Sequence, residues 1–107
     1  MKNQQAQGDI LVYPIDSLPD GVKKATPKNG RWILAEGEAT GHHHSIAADS
    51  NVTVYIGDDG SLFAQVDGTS VELTHQEHAT ITIQPGYYQI RPQFEYDPFI
   101  GFRKVID

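Results

Sequence analysis

Apolar and polar residues alternate along much of the chain with the period of two that is typical of β-strands. The alternation is clearest in residues 52–56 and 62–66, which are separated by the turn sequence Gly57-Asp58-Asp59-Gly60. A second turn signal, Asp67-Gly68, is followed by a short apolar alternation at residues 71–73. We therefore expect residues 52–73 to form a three-stranded antiparallel meander.

Other segments show the same strand pattern. Strands are expected at residues 9–15, 31–36 and 101–106, and residues 80–83 and 87–91 are expected to pair as a hairpin across Pro85-Gly86. No long segment has a convincing helical period. About eight short, mainly antiparallel strands predict an all-β fold, because a single sheet would leave one apolar face in water. We expect one domain spanning residues 1–107, either a small barrel or a two-sheet sandwich.

Charge and cysteine content narrow the classes of function. The formal net charge of −6 repels nucleic acid and anionic membranes, so we expect neither as a partner. No cysteine is present, which excludes disulfides, thiolate nucleophiles and cysteine-ligated metals. No stretch approaches the ~20 apolar residues that span a bilayer, and residues 1–8 lack the apolar run of a signal peptide. We therefore expect a soluble protein of the cytoplasm.

All five histidines fall in two short clusters, His42-His43-His44 and His75-Gln76-Glu77-His78. Such clustering would seldom arise by chance, so both stretches are candidates for one shared site. In an extended segment His42 and His44 face one way and His43 the other. The second cluster lies between strand patterns, where a turn would let its two histidines converge. The sequence predicts that the two clusters build the functional site.

Imidazole binds transition metals and exchanges protons near neutral pH. The candidate metal ligands are His42, His44, His75 and His78. They would suit a divalent transition metal such as zinc, manganese, iron or nickel. The candidate catalytic residues are Glu77 and His43, with Glu77 as general base or as the carboxylate that orients a histidine. The spacing differs from the His-Glu-x-x-His signature of metalloproteases.

Two other interpretations use the same residues without a metal. One histidine acting as base and another as acid would cleave an ester or a phosphodiester. Alternatively, the histidines are structural, since imidazoles at strand ends often bond loop carbonyls or pack on aromatic rings. The sequence leaves these alternatives open.

Five motifs resemble, in the same order, those of short, largely uncharacterised proteins found in phage and bacterial genomes. They are Gly8-Asp9-Ile10-Leu11-Val12, Leu34-Ala35-Glu36-Gly37-Glu38-Ala39-Thr40-Gly41-His42, Leu73-Thr74-His75-Gln76-Glu77-His78, Pro85-Gly86-Tyr87-Tyr88 and Glu95-Tyr96-Asp97-Pro98. The motifs extend over nearly the whole chain. This resemblance implies a phage-associated accessory protein of the host cytoplasm and implies no particular activity.

The chain is also similar, in architecture, to cupins, small β-barrels whose metal site carries a His-x-His pair, a following glutamate and a later histidine. His42-His43-His44 after Gly41 is similar to that pair. The following span reads Ser45-Ile46-Ala47-Ala48-Asp49 and has no such glutamate. The resemblance therefore implies a related architecture, and it carries over no complete set of ligands.

Three functions are compatible with these observations. The first is an accessory protein whose histidine site binds a metal or a small molecule, with or without catalysing a reaction on it. The second is a phage structural or assembly protein that uses the same surface to meet a protein partner or a second copy of itself, which predicts a sizeable exposed apolar patch. The third is a counter-defence factor that binds or cleaves a small nucleotide, which predicts a pocket with Arg91 or Arg103 beside the histidines.

Overall fold

The computed structural model describes residues 4–36, 42–48, 51–92, 94–97 and 101–104, the last two ranges as backbone only. In these residues all regular structure is β. The strands are β1 (Gln5–Gln7), β2 (Ile10–Ile15), β3 (Lys23–Lys24), β4 (Arg31–Glu36), β5 (His43–Ala47), β6 (Val52–Ile56), β7 (Leu62–Val66), β8 (Val71–Leu73), β9 (Ile81–Ile83), β10 (Gly86–Pro92), β11 (Phe94–Asp97) and β12 (Gly101–Lys104). No helix in the described part of the chain is long and apolar enough to cross a membrane.

The predicted all-β, antiparallel fold is confirmed. Six strands form one sheet in the order β1-β2-β10-β7-β6-β3, and β4-β5, β8-β9 and β11-β12 form separate two-stranded sheets. Every pairing among the described strands is antiparallel. The large sheet has free ends at β1 and β3, so the described strands form layered open sheets and no closed barrel.

The core lies where the alternating apolar positions of several strands face each other. On β2, Ile10 and Val12 are buried while Leu11 and Tyr13 are only half-buried. The other fully apolar core positions come from both the large sheet and the small ones. They are Trp32, Leu34, Ile46, Val52, Val54, Ala64, Val66, Val71, Leu73, Ile83, Tyr88 and Ile90. Burial of these side chains is the main driving force for packing the sheets together.

The meander expected over residues 52–73 is only partly correct. β6 and β7 pair as predicted. β8, however, pairs with β9 in a separate sheet. The second edge of β7 is occupied by β10. In addition, the Asn51 side chain donates a hydrogen bond of 2.7 Å to the carbonyl of Thr69, which directs the chain after the Asp67-Gly68 turn away from β7.

The hairpin predicted between residues 80–83 and 87–91 is wrong. β9 pairs with β8, and β10 lies between β2 and β7. Gly86 has a φ of 150° and begins β10. The predicted type II turn would need a glycine φ of about +80°. β10 therefore joins the first and central parts of the large sheet. The strands β1, β3, β5 and β11 were not predicted, and of the strand expected at residues 101–106 the described portion is β12.

The first histidine cluster is positioned by β5 and by its two neighbours. β5 pairs with β4 through a register irregularity between Ile33 and Ala35, so that Leu34 is an extra, bulged residue. On its other side, β5 contacts the end of β8 through reciprocal backbone bonds between Ser45 and Thr74, of 3.0 and 2.9 Å. This bridge brings the residue before His75 beside the residue after His44.

Candidate functional site

Four histidine rings from the two clusters lie together. His75 is at the centre, with its ring centroid 4.5 Å from that of His44 and 4.6 Å from that of His78. The His42 ring meets His75 edge-on at 5.6 Å. The rings of His44 and His78 are nearly parallel at 6.1 Å. We call His42, His44, His75 and His78 the histidine cluster; it is formed by β5 and by the segment that follows β8.

His44 is the most deeply buried histidine of this cluster. Its side chain is 0% exposed, and both of its ring nitrogens are bonded. Nε2 lies 2.7 Å from Oδ1 of Asp9, and Nδ1 lies 2.8 Å from Oε1 of Gln7. Asp9 is also buried. A buried polar network of this kind is stable only when each member has its partner.

The orientation of Gln7 determines how the His44 ring is used. Its amide nitrogen donates to the carbonyls of Leu73 and Ala79, each at 2.9 Å. The amide oxygen of Gln7 is therefore the acceptor, and His44 Nδ1 is a donor. Nε2 and Oδ1 of Asp9 form a hydrogen bond of 2.7 Å, which is an ion pair if both ring nitrogens carry a proton. A metal ion bound to His44 would have to displace one of these two partners.

His75 organises the turn that follows β8. Its Nδ1 accepts a hydrogen bond of 3.0 Å from the backbone N–H of Glu77, with a longer contact of 3.4 Å from that of His78. Because Nδ1 is the acceptor, the neutral ring carries its proton on Nε2. His75 is buried. The predicted convergence of His75 and His78 in a turn is thus what the structure shows.

His42, Glu77 and His78 are the more exposed side chains at the cluster, and we call them its outer face. Nε2 of His42 lies 3.9 Å from Oε1 of Glu77, and the Glu77 side chain is 62% exposed. Nε2 of His78 is buried and has no hydrogen-bond partner within the described residues. Unpartnered buried polar atoms are uncommon, and a water or an ion is a usual reason for one. Nε2 of His78 is therefore the atom at this face for which the described residues supply no partner.

Among the described residues, the ring of His43 makes no contact with the other four histidine rings. Its backbone N–H donates to the side-chain oxygen of Gln76 at 2.7 Å, which connects the two clusters a second time. Its ring Nδ1 is buried without a hydrogen-bond partner among the described residues. The catalytic role expected for His43 stays a prediction, as does that of Glu77.

The histidine cluster is not already arranged around a metal. In residues that the structure describes, no three or more histidine, aspartate or glutamate side chains are gathered so that they could hold a metal ion. Two cavities elsewhere are lined by other residues. One contains Arg91, whose guanidinium lies 4.1 Å from the Tyr13 ring centroid, and no histidine lines it. Arg103 has a side chain outside the described residues.

Sequence reasoning missed Gln7 and Asp9 as parts of the site. Both flank Gly8, whose φ of 56° makes the turn between β1 and β2. Polar residues beside a glycine are usually interpreted as an exposed turn. The available signal was the motif that begins at Gly8-Asp9, which groups Asp9 with the histidine motifs.

A family model described as "Domain of unknown function (DUF8820)" matches residues 6–93, which is most of the chain and includes both histidine clusters. No match to the chain was found among curated proteins or among solved structures.

Proposed function

We propose that this chain, which belongs to the family described as "Domain of unknown function (DUF8820)", binds a divalent transition metal at the outer face of its histidine cluster. The observation that carries the proposal is the buried, unpartnered Nε2 of His78 beside the other imidazoles. A metal ion would use the lone pair of this nitrogen. Zinc, nickel, iron and manganese all accept imidazole ligands.

His42, Glu77 and His78 are the three ligands that the proposal assigns. Two ligands at about 2.0–2.1 Å from a tetrahedral zinc ion are roughly 3.3 Å apart. The 3.9 Å between His42 Nε2 and Glu77 Oε1 is close to this value. In the described residues no three such side chains are already placed to hold an ion, so binding would need rotamer changes, which the largely exposed Glu77 side chain permits. Three protein ligands leave a fourth position for water or a small molecule.

His44 and His75 act in this proposal as positioning residues. The bonds from His44 to Asp9 and Gln7 hold its ring under the cluster. The bonds that His75 accepts from the backbone fix the turn that carries Glu77 and His78. Supporting partners of this kind typically affect metal affinity about 10–100-fold in metalloproteins. The proposed ligand set thus keeps His42 and His78 of the four histidines expected from the sequence and adds Glu77.

The wider setting is also a proposal. The resemblance to phage and bacterial proteins supports a phage-associated accessory role in the cytoplasm, that of the host cell if the chain is phage-encoded. The assembly alternative is less well supported, because Ile56 is the one large hydrophobic side chain that is exposed among the described residues. The nucleotide alternative predicted Arg91 or Arg103 beside the histidines; Arg91 lines a cavity to which no histidine contributes, and the Arg103 side chain lies outside the described residues.

Metal content of untagged protein tests the proposal. The protein is treated with a chelator, dialysed, and titrated separately with zinc, nickel and manganese by isothermal titration calorimetry, with metal content confirmed by plasma mass spectrometry. We expect stoichiometric binding of at least one metal, weakened about tenfold or more in His42→Ala and in His78→Ala.

His43→Ala is the matched control, because it removes a histidine of the same cluster sequence whose ring makes no contact with the other four in the described residues. It should bind metal like the wild type. The proposal is overturned if the wild type binds no metal, or if His43→Ala loses as much affinity as His78→Ala. Circular dichroism of each variant establishes that the fold is retained.

A further inference from the structure

A second cavity, of about 440 Å³, lies beside the Ser45–Thr74 contact, and Thr74 is one of its lining residues. It is lined by the start of β4, the end of β5, and β8 and β9. Its polar side chains include Arg31, Ser70, Glu72, Thr74 and Thr82. The volume falls within the ~300–1,000 Å³ that is usual for small-molecule sites. None of the histidines lines this cavity, so it is separate from the proposed metal site.

Arg31 is held in one orientation at the wall of this cavity. Its Nε donates to Oγ of Ser45 at 2.7 Å. Its Nη2 donates to Oγ1 of Thr74 at 2.9 Å and to the Ser45 carbonyl at 3.3 Å. These bonds use one side of the guanidinium. The side chain is therefore pre-organised, and little conformational entropy remains to be lost when it binds something else.

Nη1, on the other side of the Arg31 guanidinium, has no hydrogen-bond partner among the described residues. No hydrogen bond to Nη1 and no ion pair to Arg31 is found among the described residues. Glu72 lines the same cavity and still makes no ion pair with Arg31 there. Arg31 is half-buried, so Nη1 remains available to a ligand in the cavity. Its planar donors fit a carboxylate or a phosphate.

We propose that this cavity binds a small molecule that carries an oxyanion, a carboxylate or a phosphate, at one end and a hydroxyl or amino group at the other. The oxyanion contacts Nη1 of Arg31. The hydroxyl groups of Ser70 and Thr82, both exposed on the cavity wall, are donors to the same kind of group. Glu72 accepts from the hydroxyl or amino end and disfavours ligands that are purely anionic.

The test is a titration of ¹⁵N-labelled wild-type protein followed by NMR. Three probes are used separately: inorganic phosphate, phosphoethanolamine, and β-alanine. We expect saturable shifts of the Ser70, Thr74 and Thr82 amides and of the Arg31 Nε–H with phosphoethanolamine or β-alanine, with a dissociation constant in about the millimolar range. Binding of phosphoethanolamine without β-alanine identifies a phosphate ligand, and binding of β-alanine without phosphoethanolamine identifies a carboxylate. Binding of both identifies an oxyanion in general. Phosphate alone should bind more weakly than the probe that carries an amine.

Arg31→Gln should weaken binding of the effective probe about tenfold or more, because a hydrogen-bonded charge contact is lost. Arg91→Gln is the control, since it makes the same change of charge at an exposed arginine outside this cavity. If Arg31→Gln does not fold, Thr82→Val and Ser70→Ala replace it, and each should weaken binding at an exposed position. The proposal is overturned if no probe gives saturable shifts in the wild type. It is equally overturned if every folded cavity variant binds like Arg91→Gln.

Discussion

Replacing His44 with alanine is expected to destabilise the fold by about 3–5 kcal/mol, the typical cost of removing one member of a buried charged pair. The structural reason is that the change leaves the buried carboxylate of Asp9 and the amide oxygen of Gln7 without their 2.7 and 2.8 Å contacts to the ring. Neither group can turn to solvent, because the Asp9 and Gln7 residues are only 2% and 3% exposed.

The expected loss is large compared with the stability of an ordinary domain, about 5–15 kcal/mol. For a domain of about this size, each kcal/mol lowers the melting temperature by roughly 4–8 °C. His44→Ala should therefore melt at least about 12 °C below the wild type. His42→Ala is the matched control, because its nearest carboxylate is 3.9 Å away and exposed. Exposed pairs of this kind contribute about 0–1 kcal/mol.

The assay is urea unfolding monitored by the fluorescence of Trp32, which is the single tryptophan and is buried in the core. Chelator is present throughout, so that metal binding does not contribute. The midpoint should fall in His44→Ala while the slope of the transition stays the same, since the amount of surface exposed on unfolding is similar. A double-mutant cycle with Asp9→Ala should show that the two losses are not additive.

A loss below about 1 kcal/mol in His44→Ala, similar to that of His42→Ala, would refute the reasoning, because exposed pairs already reach that value. Additive effects of His44→Ala and Asp9→Ala would refute it as well. Either result would mean that the two side chains do not depend on each other for burial.

Two further predictions concern Tyr88 and Gly68. Burial raises the pKa of Tyr88 above its ordinary value, so the folded protein keeps the phenol proton at a pH at which the unfolded chain loses it. The free energy of unfolding should therefore be constant up to about pH 10 and fall above it. Tyr88→Phe should remove this fall when urea midpoints are compared between about pH 9 and pH 11. The same variant should lose about 0.5–1.5 kcal/mol at neutral pH, because the Tyr88 hydroxyl donates to the Gln84 carbonyl at 2.6 Å. Gly68→Ala should lower the free energy of unfolding by about 1–2 kcal/mol in thermal unfolding, because Gly68 has a φ of 74°, and Gly68→Asn should lower it less. Equal stability of Gly68→Ala and the wild type would contradict the requirement for glycine in this turn.

Strand positions could be predicted from the sequence because alternation is a local signal. Residues 31–36 were predicted as a strand, and β4 has the same bounds. The partners of the strands could not be predicted in the same way. β10 pairs with β2, which lies more than 70 residues earlier in the chain, and with β7. The sequence near Pro85-Gly86 indicated a local hairpin, but the tertiary fold offered β10 two longer partners.

The histidine cluster was predictable only in part, for a related reason. The grouping of five histidines in two short segments is visible in the sequence and indicated a shared site. Which nitrogen of each ring is used depends on residues far away along the chain. Gln7 and Asp9 contact His44 across more than 30 residues, and nothing local to His44 predicts them. These contacts are the reason that the proposed ligand set does not include His44.

Gln7 shows why stability and ligand binding are connected in this domain. Its side chain accepts from His44 and donates to the carbonyls of Leu73 and Ala79, which lie just before and just after the turn that contains His75 and His78. One amide on the edge strand β1 therefore fixes both the buried ring and the two ends of the turn. The turn itself has few described backbone bonds of its own, so its geometry depends on this side chain, on Nδ1 of His75, and on the Gln76 side chain, which accepts from the backbone of His43. The outer face formed by His42, Glu77 and His78 is thus supported by contacts that do not belong to any ligand, and changes at β1 act on the site without touching it.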